Sequence, residues 1–211
     1  MDTSKSFDAY EVIGIITPGT LVALLLLSEA PLFHRLLLGQ SLTIGDLGLF
    51  LLLALVFGQL IQAFGNLIEW MVWLRFGLPT NFVRVRGQRL ITPTQRMALE
   101  AKIAAMEGEK IDLSATNRTQ WRAMTARAYA RVHAAGRSVH VDIYNRTYGL
   151  CRGLVAATGL AFFWCIYAHR DQPALLVVLA LMTTAAVFRM RRAGIHYART
   201  LFLEFIDLDR V

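Results

Sequence analysis

One stretch of this sequence, residues 47–74, limits the possible folds more than any other. It reads LGLFLLLALVFGQLIQAFGNLIEWMVWL, has no charge between Asp46 and Glu69, and is long enough to cross a bilayer as a helix. Its second half nevertheless carries four polar residues, Gln59, Gln62, Asn66 and Glu69. At about 100° per residue they fall within one sector of about 80° on a helix. Because amides and carboxylates need hydrogen-bond partners away from water, this polar stripe is expected to face other helices, a second subunit or a water-filled path.

The remaining hydrophobic residues are also gathered into runs. They make up 55% of the chain, and four stretches carry no charge at all: residues 12–28, 47–68, 153–169 and 172–188. The second stretch has 22 residues and the others have 17, within the range of roughly 17–25 residues that spans hydrocarbon. The sequence therefore predicts an all-α membrane protein with four transmembrane helices.

The positive charge is concentrated between the second and third of these stretches. The chain has a net charge of +7, and residues 75–152 contain fourteen Lys and Arg against five Asp and Glu. Because basic loops stay on the cytoplasmic side of a membrane, we expect both termini and this basic, mainly helical region inside, at a bacterial inner membrane. The predicted organisation is a transmembrane hairpin over residues 1–75 with spans at about 12–28 and 47–74, a basic cytoplasmic region over 76–148, a second hairpin over 149–190, and a C-terminal cytoplasmic helix over 191–211.

Within the basic region, a helix is predicted at about residues 116–135. Its apolar stripe is formed by Trp121, Met124, Ala128, Val132 and Ala135, and its flanking arginines are Arg118, Arg122, Arg127 and Arg131. An apolar stripe bordered by arginines suits a helix that lies in an anionic membrane surface. It suits equally a helix that packs on another cytoplasmic helix with its arginines in solvent. The four arginines, together with Arg152, are candidates to bind lipid headgroups or an anionic ligand such as a nucleotide or nucleic acid.

The third span is predicted to continue a helix that begins near Ser138. This places Arg152 at the mouth of the span, at a depth similar to that of Glu69. Arg152 is expected either to reach lipid phosphates or to pair with Glu69, since charges in membranes are usually partnered. Gly58 and Gly65 lie beside the polar stripe, where the missing side chains would let another helix approach closely.

No motif for enzymatic chemistry is found. The sequence has no GxxxxGK[ST] phosphate loop, no GxGxxG, no GxSxG and no HExxH. Its two cysteines, Cys151 and Cys165, lie fourteen residues apart on one predicted helix and cannot pair with each other. We therefore expect a protein that is not an enzyme and uses no metal or cofactor.

Three segments carry a resemblance to a known class of proteins. They are FDAYEVIGIITPGTLVALLLL near the start, GNLIEWMVWLRFGLPTNF at the end of the second span, and YNRTYGLCRGLV at the entry to the third. In this architecture the chain resembles small bacterial multi-span membrane effectors of antiphage defence systems. The resemblance implies an oligomer whose cytoplasmic part answers a nucleotide or a partner protein and whose opening depolarises the membrane.

Two functional hypotheses follow. In the first, the protein is an oligomeric pore, lined by Gln59, Gln62, Asn66 and Glu69 and gated through the basic region by an anionic ligand or a partner. In the second, the protein is a non-conducting anchor or scaffold that recruits a cytoplasmic partner. The stripe then holds helices together, and Glu69 pairs with Arg152.

Overall fold

The computed structural model describes residues 9–29, 44–73, 77–85 and 90–209. In these residues the fold is all-helical. The six α-helices are α1 (Ala9–Glu29), α2 (Ile44–Val72), α3 (Pro93–Glu107), α4 (Arg118–Ala134), α5 (Val139–Ala168) and α6 (Pro173–Ile206). Two short 3-10 helices cover Pro79–Val83 and Asp207–Asp209.

Three of the helices are long and apolar enough to cross a membrane. They are α2, α5 and α6, with mean hydropathies of 2.2, 1.6 and 1.9 over their most apolar segments. The apolar part of α1, Val12–Leu27, is shorter than the roughly 17–25 residues of a typical span. Three long apolar helices suggest a multi-pass membrane protein, while the crossing of α1 stays a prediction.

The ends of the helices differ in part from the sequence-based expectation. The prediction that the segment after Ser138 runs directly into the third span is confirmed, because α5 is continuous from Val139 to Ala168. The C-terminal segment, however, is not a separate helix. It continues α6 without a break to Ile206, since neither the arginines after Phe188 nor Gly194 interrupts the helical hydrogen bonds. Leu74, the last residue of the predicted second span, lies outside the described residues, as do Arg210 and Val211 of the predicted C-terminal helix.

The chain divides into two compact units. The membrane unit comprises Met1–Val72 and Arg146–Met190, and the basic unit comprises Trp73–Asn145 and Arg191–Val211. The boundary therefore falls within both α5 and α6.

In the membrane unit, α1 and α2 approach closely through small residues. A Cβ added to Gly19 would overlap the Ala54 carbonyl oxygen, and one added to Gly58 would overlap the Ile15 carbonyl oxygen. The buried residues of α2 recur every three or four positions: Ala54, Gly58, Ile61 and Gly65. Such rows of small residues allow helix backbones to pack tightly in membranes, where no hydrophobic effect drives the helices together.

The basic unit has a conventional apolar core. Leu99 and Ile103 of α3, Trp121 of α4, and Leu201, Phe202 and Phe205 of α6 are among its most deeply buried residues. Trp121 also donates a hydrogen bond from Nε1 to the Thr80 carbonyl oxygen at 3.1 Å. Local signals fix the helix starts, because Thr92 and Asn117 each form a capping box before α3 and α4.

The apolar stripe of α4 is part of this core. Trp121, Met124, Ala128 and Val132 are buried in one cluster with side chains of α3 and α6. Of the two alternatives for this helix, the structure contains the packed one, and the stripe is not free to enter a membrane surface. Ala135 does not belong to the stripe, since it lies beyond the end of α4 and is exposed.

Candidate functional site

A line of polar contacts joins three helices of the membrane unit. Arg152 on α5 donates from Nη1 to Glu69 Oε2 on α2 at 2.9 Å. Its Nη2 also donates to Gln62 Oε1 at 3.4 Å. Gln62 in turn donates from Nε2 to the Gly14 carbonyl oxygen of α1 at 3.1 Å. Lipid phosphates and Glu69 were the two partners predicted for Arg152 from the sequence, and in the structure Arg152 pairs with Glu69.

Two glycines make room for this ion-pair cluster, formed by Gln62, Glu69 and Arg152. A Cβ on Gly65 would lie 3.0 Å from Arg152 Cγ, so the absence of a side chain admits the arginine rather than another backbone. A Cβ on Gly153 would lie 2.9 Å from Gln62 Nε2 and 3.0 Å from Pro18 Cγ. Gly153 escaped the sequence analysis, although its position directly after Arg152 is a usable signal.

The ion-pair cluster is partly shielded and nearly neutral in total charge. The side chains of Arg152 and Glu69 are 24% and 19% exposed. The Nε of Arg152 is buried and has no hydrogen-bond partner in the part of the chain that the structure describes. Pairing opposite charges reduces the large cost of holding either charge alone in an apolar region. The arrangement is therefore suited to holding helices together, and it contains no nucleophile.

The other half of the polar stripe points elsewhere. Gln59 and Asn66 are both exposed, whereas Gln62 and Glu69 are half-buried at the contacts with α1 and α5. The four residues thus divide into an inner pair that is used within one chain and an outer pair on the surface of α2.

The candidate arginines do not share one environment. Arg127 of α4 forms an ion pair with Glu107 of α3 at 2.9 Å. Arg118, Arg122 and Arg131 are exposed on the basic unit. Arg152 is engaged with Glu69 in the membrane unit, as described above.

The basic unit also contains a polar cluster that the sequence analysis missed. The carboxylate of Asp142 accepts hydrogen bonds from Tyr129 Oη and Ser138 Oγ, each at 2.7 Å. His133 Nδ1 lies 3.0 Å from Ser138 Oγ. Burial, and to a lesser degree the negative charge of Asp142, raises the pKa of Tyr197, which lies beyond the predicted fourth span. Because the buried serine hydroxyl donates to the carboxylate rather than to the histidine, the cluster lacks the order of contacts that activates a nucleophile.

A second polar contact of the membrane unit lies at the opposite end of α1. Glu29, one residue beyond the predicted first span, is 2.6 Å from His169 Nε2 through its Oε1. The hydrogen bond with His169, followed by that with Trp164, lowers the pKa of Glu29. An apolar groove with a volume of about 410 Å³ lies nearby. It is lined by residues of α1, α5, α6 and the α5–α6 turn, which include Leu21, Cys165 and His169.

No group of three or more His, Cys, Asp or Glu side chains in the described residues is arranged to hold a metal ion. Comparisons with protein-family models, with curated proteins and with solved structures give no match. The site is therefore interpreted from its own geometry, as an ion-pair cluster that connects α1, α2 and α5 of the membrane unit.

Proposed function

We propose that this protein is a multi-pass anchor of the bacterial inner membrane that holds its basic unit on the cytoplasmic side, where the unit recruits a partner protein. The observation that carries the proposal is the contact between Arg152 and Glu69 at 2.9 Å. In this proposal the protein is an oligomer in the membrane, is not an enzyme and uses no cofactor.

The ion pair favours an anchor because it removes the charge that a cation pore would use. A ring of carboxylates attracts cations only while the carboxylates are uncompensated. Here Glu69 faces an arginine of its own chain, and Gln62 is used on the Gly14 carbonyl oxygen. Two of the four residues expected to line a pore therefore hold helices together within one subunit.

The same contacts support a fourth span. Gln62 of α2 binds Gly14 of α1, and Gly19 of α1 meets the backbone of Ala54 and Gly58 near the middle of α2. A helix packed on the centre of a span lies at bilayer depth. The positive-inside rule places both termini in the cytoplasm. An even number of spans, such as four, returns the chain to its starting side, whereas three would leave the termini on opposite sides.

Fluorescent reporters that fold only in the cytoplasm, fused separately to each terminus, test this topology. Both fusions are expected to be bright, and one dark terminus would contradict the topology.

The partner is proposed to bind the exposed arginines of the basic unit. Arg118, Arg122 and Arg131 are exposed around α4 while its apolar stripe is buried, which leaves charge as the main feature available for recognition. Such a surface suits an acidic protein partner, and it would also attract an anionic nucleotide or nucleic acid.

Ion flux through the purified protein in liposomes tests the anchor. We expect no flux above protein-free liposomes, with or without nucleotides and oligonucleotides, together with lower thermal stability in Glu69→Gln. In native membranes, replacing Arg118, Arg122 and Arg131 with Gln should remove a cross-linked partner without loss of membrane insertion, whereas Lys110→Gln serves as the exposed control. Sustained flux, or the absence of any cross-linked partner, would refute the anchor, whereas a partner indifferent to the three arginines would refute the proposed binding surface.

A pore is the second candidate, because Gln59 and Asn66 remain exposed on the most apolar of the three long helices. In a ring of subunits these amides would line a wet path, and the resemblance to antiphage membrane effectors supports a trigger acting through the basic unit. Flux that appears with a nucleotide or nucleic acid and is lost in Gln59→Leu and Asn66→Leu would favour the pore over the anchor.

A further inference from the structure

The surface of α2 carries a regular seam of exposed residues. Its members are separated alternately by four and three positions: Leu52, Val56, Gln59, Ala63, Asn66 and Trp70. All six are exposed, with Leu52 at 58%, Val56 at 49% and Trp70 at 66%. This is the heptad spacing with which helices pack against each other along their length in coiled coils and in most membrane bundles.

This α2 seam faces away from the rest of the membrane unit. The buried residues of α2, from Ala54 to Gly65, define its inner side. At about 100° per residue, the seam is centred roughly 150° around the helix from that inner side. Nothing in the described part of the membrane unit covers it, so its neighbour in a bilayer is lipid or a protein surface outside these described residues.

The two amides make lipid an unfavourable neighbour. Gln59 lies next to Gly58, the midpoint of α2, and Asn66 lies about 10.5 Å further along the helix axis. An amide without a partner in hydrocarbon carries an appreciable free-energy cost. The short side chain of Asn66 in particular gives it little reach toward the headgroups. Both amides would recover hydrogen bonds against another polar surface at the same depth.

We propose that a second copy of this chain packs along the α2 seam, in parallel orientation and with two-fold symmetry. Identical chains insert into a membrane with the same orientation, so their α2 helices run parallel. In a two-fold interface each residue near the axis then meets its own counterpart. A carboxamide has both donors and acceptors, so Gln59 can bond to Gln59 and Asn66 to Asn66 of the second copy.

The small side chain of Ala63 between the two amides allows the helices to approach, while Leu52, Val56 and Trp70 extend the contact on either side. Buried amides in such a seam also select one register, because a slip would leave them opposite apolar residues. The inference deepens the proposed function by defining its oligomer. It rests on that proposal only for the insertion of α2 in a membrane.

Cysteine cross-linking in native membranes tests the seam. The buried Cys151 and Cys165 are first replaced by Ala, and single cysteines are then introduced as Gln59→Cys, Ala63→Cys and Asn66→Cys. Phe64→Cys is the matched control, since Phe64 is 62% exposed but lies about 160° around the helix from Asn66. We expect disulfide-linked dimers from the three seam positions and none from the control.

Dimerisation measured by energy transfer between labelled chains in lipid vesicles provides a second readout. Gln59→Leu and Asn66→Leu are each expected to weaken association by about 3- to 20-fold, the range typical of interhelical hydrogen bonds in membranes, whereas Phe64→Leu should have no effect. Equal cross-linking at Phe64→Cys, no cross-linking at any seam position, or unchanged association in both Leu variants would overturn the inference. Failure of the anchor appears separately, as ion flux through the unmodified protein or as the absence of any partner recruited by it.

Discussion

The ion pair between α2 and α5 leads to a quantitative prediction for Arg152→Met. The substitution keeps a long apolar side chain but removes the contacts to Glu69 at 2.9 Å and to Gln62 at 3.4 Å. Glu69 then holds a carboxylate without a counter-charge. Removing one partner of a buried ion pair costs about 3–5 kcal/mol.

Because 19% of the Glu69 side chain and 24% of the Arg152 side chain are exposed, we expect the lower end of that range. A loss of about 3 kcal/mol corresponds to a roughly 150-fold change in the ratio of folded to unfolded protein. Glu69→Gln is expected to cost less, about 1–2 kcal/mol, because a Gln oxygen still accepts a hydrogen bond from Arg152.

The assay is reversible unfolding of the full chain in mixed micelles, with a double-mutant cycle. Glu69→Gln combined with Arg152→Met should cost about 2 kcal/mol less than the sum of the single changes, because neither charge is then left without its partner. Arg189→Met is the matched control, since Arg189 is an exposed arginine of the membrane unit. The reasoning fails if Arg152→Met destabilises no more than this control, or if the two changes are simply additive.

Three further predictions concern packing and titration. Gly58→Val should destabilise the membrane unit by more than the cost of about 1–3 kcal/mol that is typical of overpacking, because a Cβ there overlaps the Ile15 carbonyl oxygen. Gly48→Val, where a Cβ meets open space, should be neutral in the same unfolding assay. Trp121→Ala should cost about 3–5 kcal/mol and speed the proteolysis of the basic unit. Burial of Tyr197 favours its neutral form and raises its pKa. The contribution of the neutral, buried phenol to stability is therefore present below pH 10.0 and is lost as the pH rises through the raised pKa. Tyr197→Phe should flatten that alkaline decline in thermal stability.

Much of the helical content could be predicted from local pattern. The uncharged run at residues 47–68 lies within a long apolar helix of the structure, and those at 153–169 and 172–188 do so except for one residue at the α5–α6 turn in each case. Threonine and asparagine caps mark the starts of α3 and α4. The continuity of α6 was harder to predict, because a cluster of arginines resembles the end of a span but does not itself interrupt a helix.

Tertiary structure was needed to identify the partners of those residues for which the sequence allowed more than one environment. The stripe of α4 suited a membrane surface or a protein core, and only its burial in one cluster with residues such as Leu99 and Phe202 decided for the core. The cluster around Asp142 was invisible in the sequence, since Tyr129 and Ser138 meet it through the turn between α4 and α5.

Long apolar helices with one polar stripe could be predicted from the sequence alone, because hydrophobic runs and helical periodicity are local properties. The sequence could not distinguish Gln62 from Gln59, which are the same residue type within one sector of the same helix. Only the tertiary structure divided them. Gln62 meets Gly14 and Arg152, whereas Gln59 lies on the exposed side of α2. The physical reason is that α1 and α5 cover one side of α2, and which side they cover depends on small residues such as Gly19 and Gly153 in helices far apart in the sequence.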